Sequence, residues 1–194
     1  GVGGSKYWST GVSMADVNAD GYLDIYVCNS GDLKGEDREN ELFINKGDGT
    51  FTEKAQEFGL NDDGYSTHAS FFDYDLDGDL DCFVLNNSYT DPQRIATVSR
   101  ERNNYGAPGG DRLYRNDNNT FVDVTKTCGI YSGDIDFGLG ISVGDVNGDR
   151  YPDILGEYKI QYTLPQGGLE ETSRSHGWEF GHRTKLLDGG VSAG

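Results

Sequence analysis

The nonapeptide Asp73-Tyr-Asp-Leu-Asp-Gly-Asp-Leu-Asp81 occurs in two further versions in this chain. These are Asp16-Val-Asn-Ala-Asp-Gly-Tyr-Leu-Asp24 and Asp145-Val-Asn-Gly-Asp-Arg-Tyr-Pro-Asp153. All three follow the pattern D-x-[DN]-x-D-x-x-x-D, and self-similarity of this kind is the signature of a repeat architecture. Runs rich in β-branched and aromatic residues lie on both sides of each copy. Each copy is therefore predicted to be the tip of a β-hairpin.

A second repeated element follows the first two copies. Residues 41–51 and 112–121 each contain an alternating strand, a turn rich in Asn, Asp and Gly, and a return to an aromatic residue. This pattern is typical of another hairpin. Two hairpins make one four-stranded sheet, so we predict an all-β chain. Residues 1–155 are expected to form about three four-stranded β-propeller blades, as part of a larger propeller.

Composition agrees with strands and turns and argues against two classes of partner. The chain has 29 glycines and 12 tyrosines but one methionine, a balance that favours turns and pleated sheets over helices. High charge is also typical of disordered chains, but those lack the periodic aromatic residues found here. The net charge of −17 repels phosphate backbones and anionic lipid headgroups. We therefore expect no nucleic-acid binding. No apolar run reaches the roughly 20 residues of a membrane-spanning helix, so we expect no membrane insertion either.

The aspartate loops are predicted to hold up to three Ca²⁺ ions. Calcium takes about six to eight oxygen ligands, and alternate residues of a tight loop direct their oxygens toward one centre. Magnesium fits less well, because it gives up its water ligands reluctantly. The predicted ligands, with position 7 of each loop contributing its carbonyl, are Asp16, Asn18, Asp20, Tyr22 and Asp24 in loop 1; Asp73, Asp75, Asp77, Asp79 and Asp81 in loop 2; and Asp145, Asn147, Asp149, Tyr151 and Asp153 in loop 3.

Two other interpretations compete with calcium binding. An EF-hand opens with similar residues but needs a Glu at position 12 and helices on both sides, whereas position 12 here is Val27, Val84 or Gly156. Alternatively, Asp, Asn and Gly form good turns without any metal. Three loops in register, each with an Asp at position 9 that no turn requires, favour the metal interpretation.

The three loops are expected to differ in affinity. Loop 2 carries the most carboxylates, which would repel one another without a cation, so it is predicted to bind most tightly. Loop 3 has Arg150 where the other loops have Gly21 and Gly78. Because Gly tolerates backbone angles that Arg does not, loop 3 is predicted to bind most weakly.

The nonapeptides and the strands after them resemble the calcium loops of FG-GAP repeats in integrin α-chain propellers and of VCBS repeats in secreted bacterial proteins. Phe137-Gly138 ahead of loop 3 matches the motif that names the family, whereas the other two copies lack that pair. The segments Leu85-Asn-Asn-Ser-Tyr89 and Gly110-Asp-Arg-Leu-Tyr-Arg-Asn116 are similar to the cartilage acidic protein (ASPIC/UnbV) branch. The resemblance implies a propeller, commonly seven-bladed, with calcium holding its hairpins in an extracellular, cell-surface or periplasmic setting.

The pattern of the repeats is uneven along the chain. Residues 87–110 form the longest segment between hairpins, with a short helix expected over residues 93–102, and are the first place to look for ligand specificity. After residue 155 neither the turn hairpin nor another aspartate loop can be recognised. Residues 156–194 are therefore expected to be an anomalous C-terminal tail, divergent or non-native. Three blades would leave sheet edges open, so we expect a fragment, or self-assembly if the chain is complete.

Two classes of function fit these features. The first is a noncatalytic module for extracellular adhesion or for recognition of a protein or glycan ligand, which needs only the blades. The second is the propeller part of a carbohydrate-active enzyme such as a polysaccharide lyase. His68 is expected to pack rather than react, and neither His176 nor His182 has a metal-ligand spacing. No nucleophile elbow, phosphate loop or zinc motif is present, so we expect no catalysis.

Overall fold

The computed structural model describes residues 1–4, 8–31, 37–88, 104–130, 132–133, 138–156, 159–164 and 168–173. Within this part of the chain the backbone forms three antiparallel four-stranded sheets. One short helix of four residues, α1 (Ala55–Phe58), follows the first sheet. The prediction of an all-β chain built from four-stranded propeller blades is confirmed.

The first two sheets have the same order of strands. The first contains β1 (Ser9–Ala15), β2 (Asp24–Asn29), β3 (Glu41–Asn45) and β4 (Phe51–Glu53), which pair in that order. The second contains β5 (Ser66–Phe72), β6 (Asp81–Asn86), β7 (Arg112–Asn116) and β8 (Phe121–Asp123), again paired in chain order. Each sheet is thus two consecutive hairpins, as the turn residues predict.

The third sheet extends further than the sequence suggested. It contains β9 (Ile141–Gly144), β10 (Asp153–Gly156), β11 (Lys159–Leu164) and β12 (Gly168–Ser173), and β11 pairs with both β10 and β12. The expectation that the blade pattern stops at residue 155 is therefore wrong for this hairpin. The turn sequence between β11 and β12 is Pro-Gln-Gly, without the Asn/Asp-rich turn and aromatic that mark the other two copies. Residues 174–194 lie outside the described residues.

The sheets pack face to face, and β1, β5 and β9 lie side by side. The Thr10 hydroxyl of β1 donates a hydrogen bond to the Ser66 carbonyl of β5. Similarly, Thr67 of β5 donates to the Gly138 carbonyl just before β9, at 2.9 Å. These contacts between successive first strands are what blades make around a propeller axis.

Two apolar clusters hold the sheets together. The first lies between sheets one and two and includes Tyr26 and Leu42 on one side and Val84 and Tyr114 on the other. The second lies between sheets two and three, and there Ile154 packs against side chains of the second sheet. The three cysteines, which lie among apolar residues in the sequence, are buried free thiols: Cys28, Cys82 and Cys128.

A buried polar group lies beside the first cluster. Asp62, which resembles a surface turn residue in sequence, is 6% exposed. One oxygen of its carboxylate accepts a hydrogen bond from the Tyr114 hydroxyl, and the other accepts the Gly64 N–H at 2.8 Å. Burial and the neighbouring Asp62 carboxylate raise the pKa of Tyr114, so the hydroxyl stays protonated and donates. Among the described residues, no helix has the length and apolar character needed to span a membrane.

Candidate metal centre

The three aspartate loops connect the first two strands of each sheet. They follow β1, β5 and β9 and end where β2, β6 and β10 begin. The prediction that each loop is a hairpin tip is confirmed. All three loops therefore lie at the same end of their sheets.

Position 1 of each loop organises the turn through its carboxylate. In loop 1, Oδ1 of Asp16 accepts the Asp20 N–H at 2.9 Å and Oδ2 accepts the Gly21 N–H at 2.8 Å. Asp73 binds the equivalent N–H groups of Asp77 and Gly78 at 3.1 and 3.0 Å. A carboxylate that accepts the N–H groups of residues four and five positions later holds the loop in a tight turn.

Asp145 plays the same part in loop 3. Its Oδ1 accepts the N–H of Asp149 at 3.1 Å, and its Oδ2 accepts the N–H of Arg150 at 2.9 Å. These backbone donors, Arg150 first, lower the pKa of Asp145. The loop conformation thus stabilises the ionised form of this predicted ligand.

The carboxylate at position 5 accepts the backbone N–H of position 7, the residue whose carbonyl is a predicted ligand. The Asp20 carboxylate accepts the Tyr22 N–H at 2.9 Å, and Asp149 accepts the Tyr151 N–H at the same distance. In loop 2, Asp77 accepts the N–H of Asp79 at 3.2 Å. Ligation by the carbonyls of positions 7 stays a prediction.

Position 9 has a role that the sequence analysis missed. Asp24 is buried, and its two oxygens accept the Val17 N–H at 3.0 Å and the Asn45 N–H at 2.8 Å. The first donor lies within loop 1, whereas the second is the last residue of β3. The carboxylate therefore fastens the loop to the second hairpin, and its presence does not by itself require a metal.

In loop 2 the position 9 carboxylate makes both of these hydrogen bonds. In loop 3 it makes the one to an N–H within the loop. Asp81 accepts the Tyr74 N–H and the Asn116 N–H, each at 2.9 Å. Asp153 accepts the Val146 N–H at 2.9 Å. We call these position 9 carboxylates the loop clamps.

Loop 2 brings three carboxylates together. Ligand oxygens of Asp73, Asp75 and Asp81 all lie within 4.8 Å of one another. One oxygen of Asp75 and one of Asp79, Oδ1 in both, are buried without a hydrogen-bond partner in the described part of the chain. Unpartnered buried oxygens are costly, so a cation at this point would satisfy them. The Asp79 side chain, which the sequence analysis did not consider as a ligand, provides one of these two oxygens.

Electrostatics in loop 2 reflect the crowding of negative charge. Burial raises the pKa of Asp81 to about 7, even though the N–H groups of Asn116 and Tyr74 oppose the shift. Burial and repulsion from Asp77 raise the pKa of Asp79 to about 6. The pKa of Asp75 is raised as well, first by burial and then by Asp77 and Asp73. A bound divalent cation would reverse these shifts, because it favours the ionised carboxylates.

Loops 1 and 3 are less acidic, because in both of them position 3 is Asn and position 7 is Tyr. In loop 1 the amide of Asn18 donates to Asp20 at 2.9 Å, so two predicted ligands pair with each other. Among the described residues, neither loop contributes a group of three acidic ligand atoms like that of loop 2. This difference agrees with the predicted order of affinity, which stays a prediction.

The backbone explains why Arg150 is unfavourable. Position 6 has a positive φ in every loop, with values of 90° at Gly21, 104° at Gly78 and 76° at Arg150. Only glycine adopts this region without a steric cost, so the expected strain at Arg150 is present. In loop 3 the glycine lies instead at position 4, where Gly148 has a φ of 78°.

The other candidate residues contribute little to the site. His68 lies half-buried in β5 opposite Leu85. His176 and His182 lie outside the described residues, as do Phe137 and Tyr89 of the sequence motifs. The same holds for residues 89–103, which contain the expected helix and most of the expected specificity segment.

Comparison with known proteins identifies a family of repeats. A family model described as an FG-GAP-like repeat matches residues 16–84 and 98–156. These two segments contain all three aspartate loops. No curated protein matches the chain.

Proposed function

Since the chain belongs to the FG-GAP-like repeat family, we propose that it is a calcium-binding β-propeller module for extracellular adhesion or for recognition of a protein or glycan. The proposal rests chiefly on loop 2. There, oxygens of Asp73, Asp75 and Asp81 lie within 4.8 Å of one another, and one buried oxygen each of Asp75 and Asp79 has no hydrogen-bond partner among the described residues.

The chemistry of loop 2 fits calcium better than other cations. All the available ligands are oxygens, which hard cations prefer, and no His or Cys lies in the loop. With Ca–O distances of about 2.4 Å, ligands on opposite sides of the ion are separated by about 5 Å, so three oxygens within 4.8 Å of one another can all bind one calcium ion. Magnesium would need shorter distances of about 2.1 Å and would retain several waters.

We propose that up to three ions bind, with loop 2 as the tightest site. In loops 1 and 3 an Asn replaces Asp75 and a Tyr replaces Asp79, so each of these ligand sets has two fewer carboxylates than that of loop 2. Each loop has one non-glycine residue at a positive φ, and the value is largest at Arg150 of loop 3, 76° against 57° at Ala19 and 62° at Leu76. The proposed ligand sets are those of the sequence analysis, with the Asp79 carboxylate added to loop 2.

An extracellular, cell-surface or periplasmic setting follows from the proposed chemistry. Calcium modules outside cells commonly bind with dissociation constants of about 10⁻⁴–10⁻³ M, because calcium is abundant there. Sites of that strength would be occupied outside the cell. Within the family we propose that the chain belongs to the cartilage acidic protein (ASPIC/UnbV) branch, because of the sequence segments quoted above.

The proposed role is noncatalytic binding. The ligand would be a protein or a glycan, and we propose no nucleic-acid or membrane partner, because the net charge is −17. The loops supply carboxylates for a structural ion, and His68 is half-buried within a strand.

Calorimetric titration of the metal-free chain with calcium tests the proposal. We expect heat of binding and at least one site in the wild type, and a weaker tightest site in Asp75→Asn, which gives loop 2 the Asn that loops 1 and 3 have at position 3. The matched control is Glu57→Gln, which removes one negative charge from an exposed helix position outside the loops. Equal binding by Asp75→Asn and the control, or no binding by the wild type, would refute the assignment of loop 2.

A further inference from the structure

Successive sheets use corresponding surfaces to pack on one another. We call the surface that contacts the preceding sheet the near face, and the opposite surface the far face. When the chain is aligned on the aspartate loops, the near face of the second sheet includes Ala69, Phe71, Cys82 and Val84, which pack in the first apolar cluster. The near face of the third sheet uses three of the same positions in the second cluster: Ile141, Val143 and Ile154.

The near face of the first sheet is apolar at the same positions but is open. Val12 and Met14 correspond to Ala69 and Phe71, and they are 60% and 58% exposed. Ile25 and Val27, which pair with Met14 and Val12 across the hairpin, are half-buried. A contiguous apolar sheet face of this kind is typical of an interaction surface.

The far face of the third sheet is exposed at positions that are buried in the far face of the first sheet. In the first sheet, Val17 and Tyr26 of the far face are buried in the first cluster. Their equivalents in the third sheet, Val146 and Leu155, are 58% and 43% exposed. The chain thus carries, at its two ends, the two halves of the contact that joins its own sheets.

Backbone spacing at the far face supports the same contact. A Cβ added to Gly11 would lie 2.4 Å from the Thr67 carbonyl oxygen, so glycine allows β1 and β5 to approach closely. The equivalent of Gly11 in the third sheet is Gly140, and no atom lies within 4 Å of a Cβ added there. The third sheet has the same glycine at a place where no described strand approaches.

A hydroxyl group shows the same correspondence. Ser13 of the first far face donates to the Ala69 carbonyl of the next sheet. Its equivalent, Ser142 in β9, is exposed. The carbonyl that corresponds to that of Ala69 belongs to Val12, on the open near face.

We propose that two copies of this chain associate head to tail, with the far face of the third sheet of each copy on the near face of the first sheet of the other. The occupant of each open face is then a second copy, because it presents the far-face positions that already fit this near-face pattern within the chain. Two copies supply six blades, which is within the range of about four to eight found in closed propellers. Closure would remove both open faces at once.

The proposed contact has specific partners. The Ser142 hydroxyl would donate to the Val12 carbonyl of the other copy, as Ser13 does to Ala69. Gly140 would lie against the backbone of the other copy near Thr10, as Gly11 lies against Thr67. The inference uses the blade architecture alone, so it holds or fails independently of calcium binding.

Light scattering after size-exclusion chromatography tests the proposal on the full chain. The buffer contains physiological salt, because a net charge of −17 on each copy opposes association at low ionic strength. We expect a species of twice the monomer mass of 21.2 kDa. A monomer throughout the micromolar range, or a series of ever larger species, would overturn the proposal; the monomer would leave the open faces to blades outside this sequence.

Two variants test which surfaces meet. Gly140→Val adds atoms only where the isolated chain leaves space, and Met14→Glu places a charge on the open near face. Both are expected to be monomeric, with circular dichroism and unfolding temperature like those of a wild-type monomer obtained by dilution. The matched control is Val122→Glu on β8, an exposed apolar residue away from both faces, which is expected to remain dimeric. A dimer that survives both face variants would show that the copies meet through another surface.

Discussion

The clamp role of Asp24 leads to a prediction that separates structure from metal binding. In Asp24→Asn the amide keeps one acceptor oxygen, but its NH₂ group cannot accept the second backbone N–H. One of the two donors, Val17 N–H or Asn45 N–H, is then left buried and unpaired. An unsatisfied buried donor costs about 1–3 kcal/mol.

A second effect reduces that cost. Burial raises the pKa of Asp24, against the opposing N–H donors of Asn45 and Val17. The neutral amide therefore avoids part of the desolvation penalty of the carboxylate. We expect a net loss of about 1–2 kcal/mol in the free energy of unfolding, which corresponds to a fall in Tm of about 3–6 °C.

The assay is urea and thermal unfolding in excess EDTA. The matched control is Asp20→Asn, the same substitution in the same loop at an exposed position, which is expected to change stability by no more than about 0.5 kcal/mol. The loss in Asp24→Asn is expected to persist when calcium is added, because the clamp joins protein groups. If Asp24→Asn were no less stable than Asp20→Asn in EDTA, the clamp would have no structural role.

Two further predictions concern loops 2 and 3. In metal-free protein, raising the pH from about 5.5 to about 8 is expected to lower the free energy of unfolding by about 2 kcal/mol through Asp81. The pKa of this carboxyl is 3.8 in the unfolded chain and about 7 in the folded one. The unfolded carboxyl therefore ionises first, and rising pH favours the unfolded state. Urea midpoints in EDTA across this range measure the effect, and a flat profile would contradict it. Arg150→Gly is expected to stabilise the protein by about 1 kcal/mol, because glycine adopts a φ of 76° without steric strain. Urea unfolding of this variant in EDTA would count against the strain if stability were unchanged or lower.

The sequence predicted the parts of the fold that depend on local patterns. The aspartate loops and the hairpins of the first two sheets follow from turn residues and alternating strands, which act over a few residues. The strain at Arg150 could be predicted for the same reason, since the other two loops have glycine at that position. The hairpin of β11 and β12 was missed because its Pro-Gln-Gly turn differs from the other two turns.

Contacts between distant residues could not be predicted. The bond from the Asn45 N–H to Asp24 joins two hairpins, and that from the Tyr114 hydroxyl to Asp62 joins β7 to the loop before β5. Asp62 lies in an Asn-Asp-Asp-Gly segment that has the composition of an exposed turn. Its burial depends on how the second sheet packs on the first, which no local pattern records.

Calcium-dependent unfolding of the whole chain tests the central claim most directly. Thermal unfolding is recorded in excess EDTA and in millimolar calcium, for the wild type and for Asp77→Ala. At a calcium concentration 100-fold above Kd, the folded state gains about 2.7 kcal/mol, which is a rise in Tm of about 5–10 °C for a chain of this size. The account predicts that rise in the wild type and a smaller one in Asp77→Ala. Equal unfolding temperatures with and without calcium in the wild type would show that the aspartate loops are turns and not metal sites.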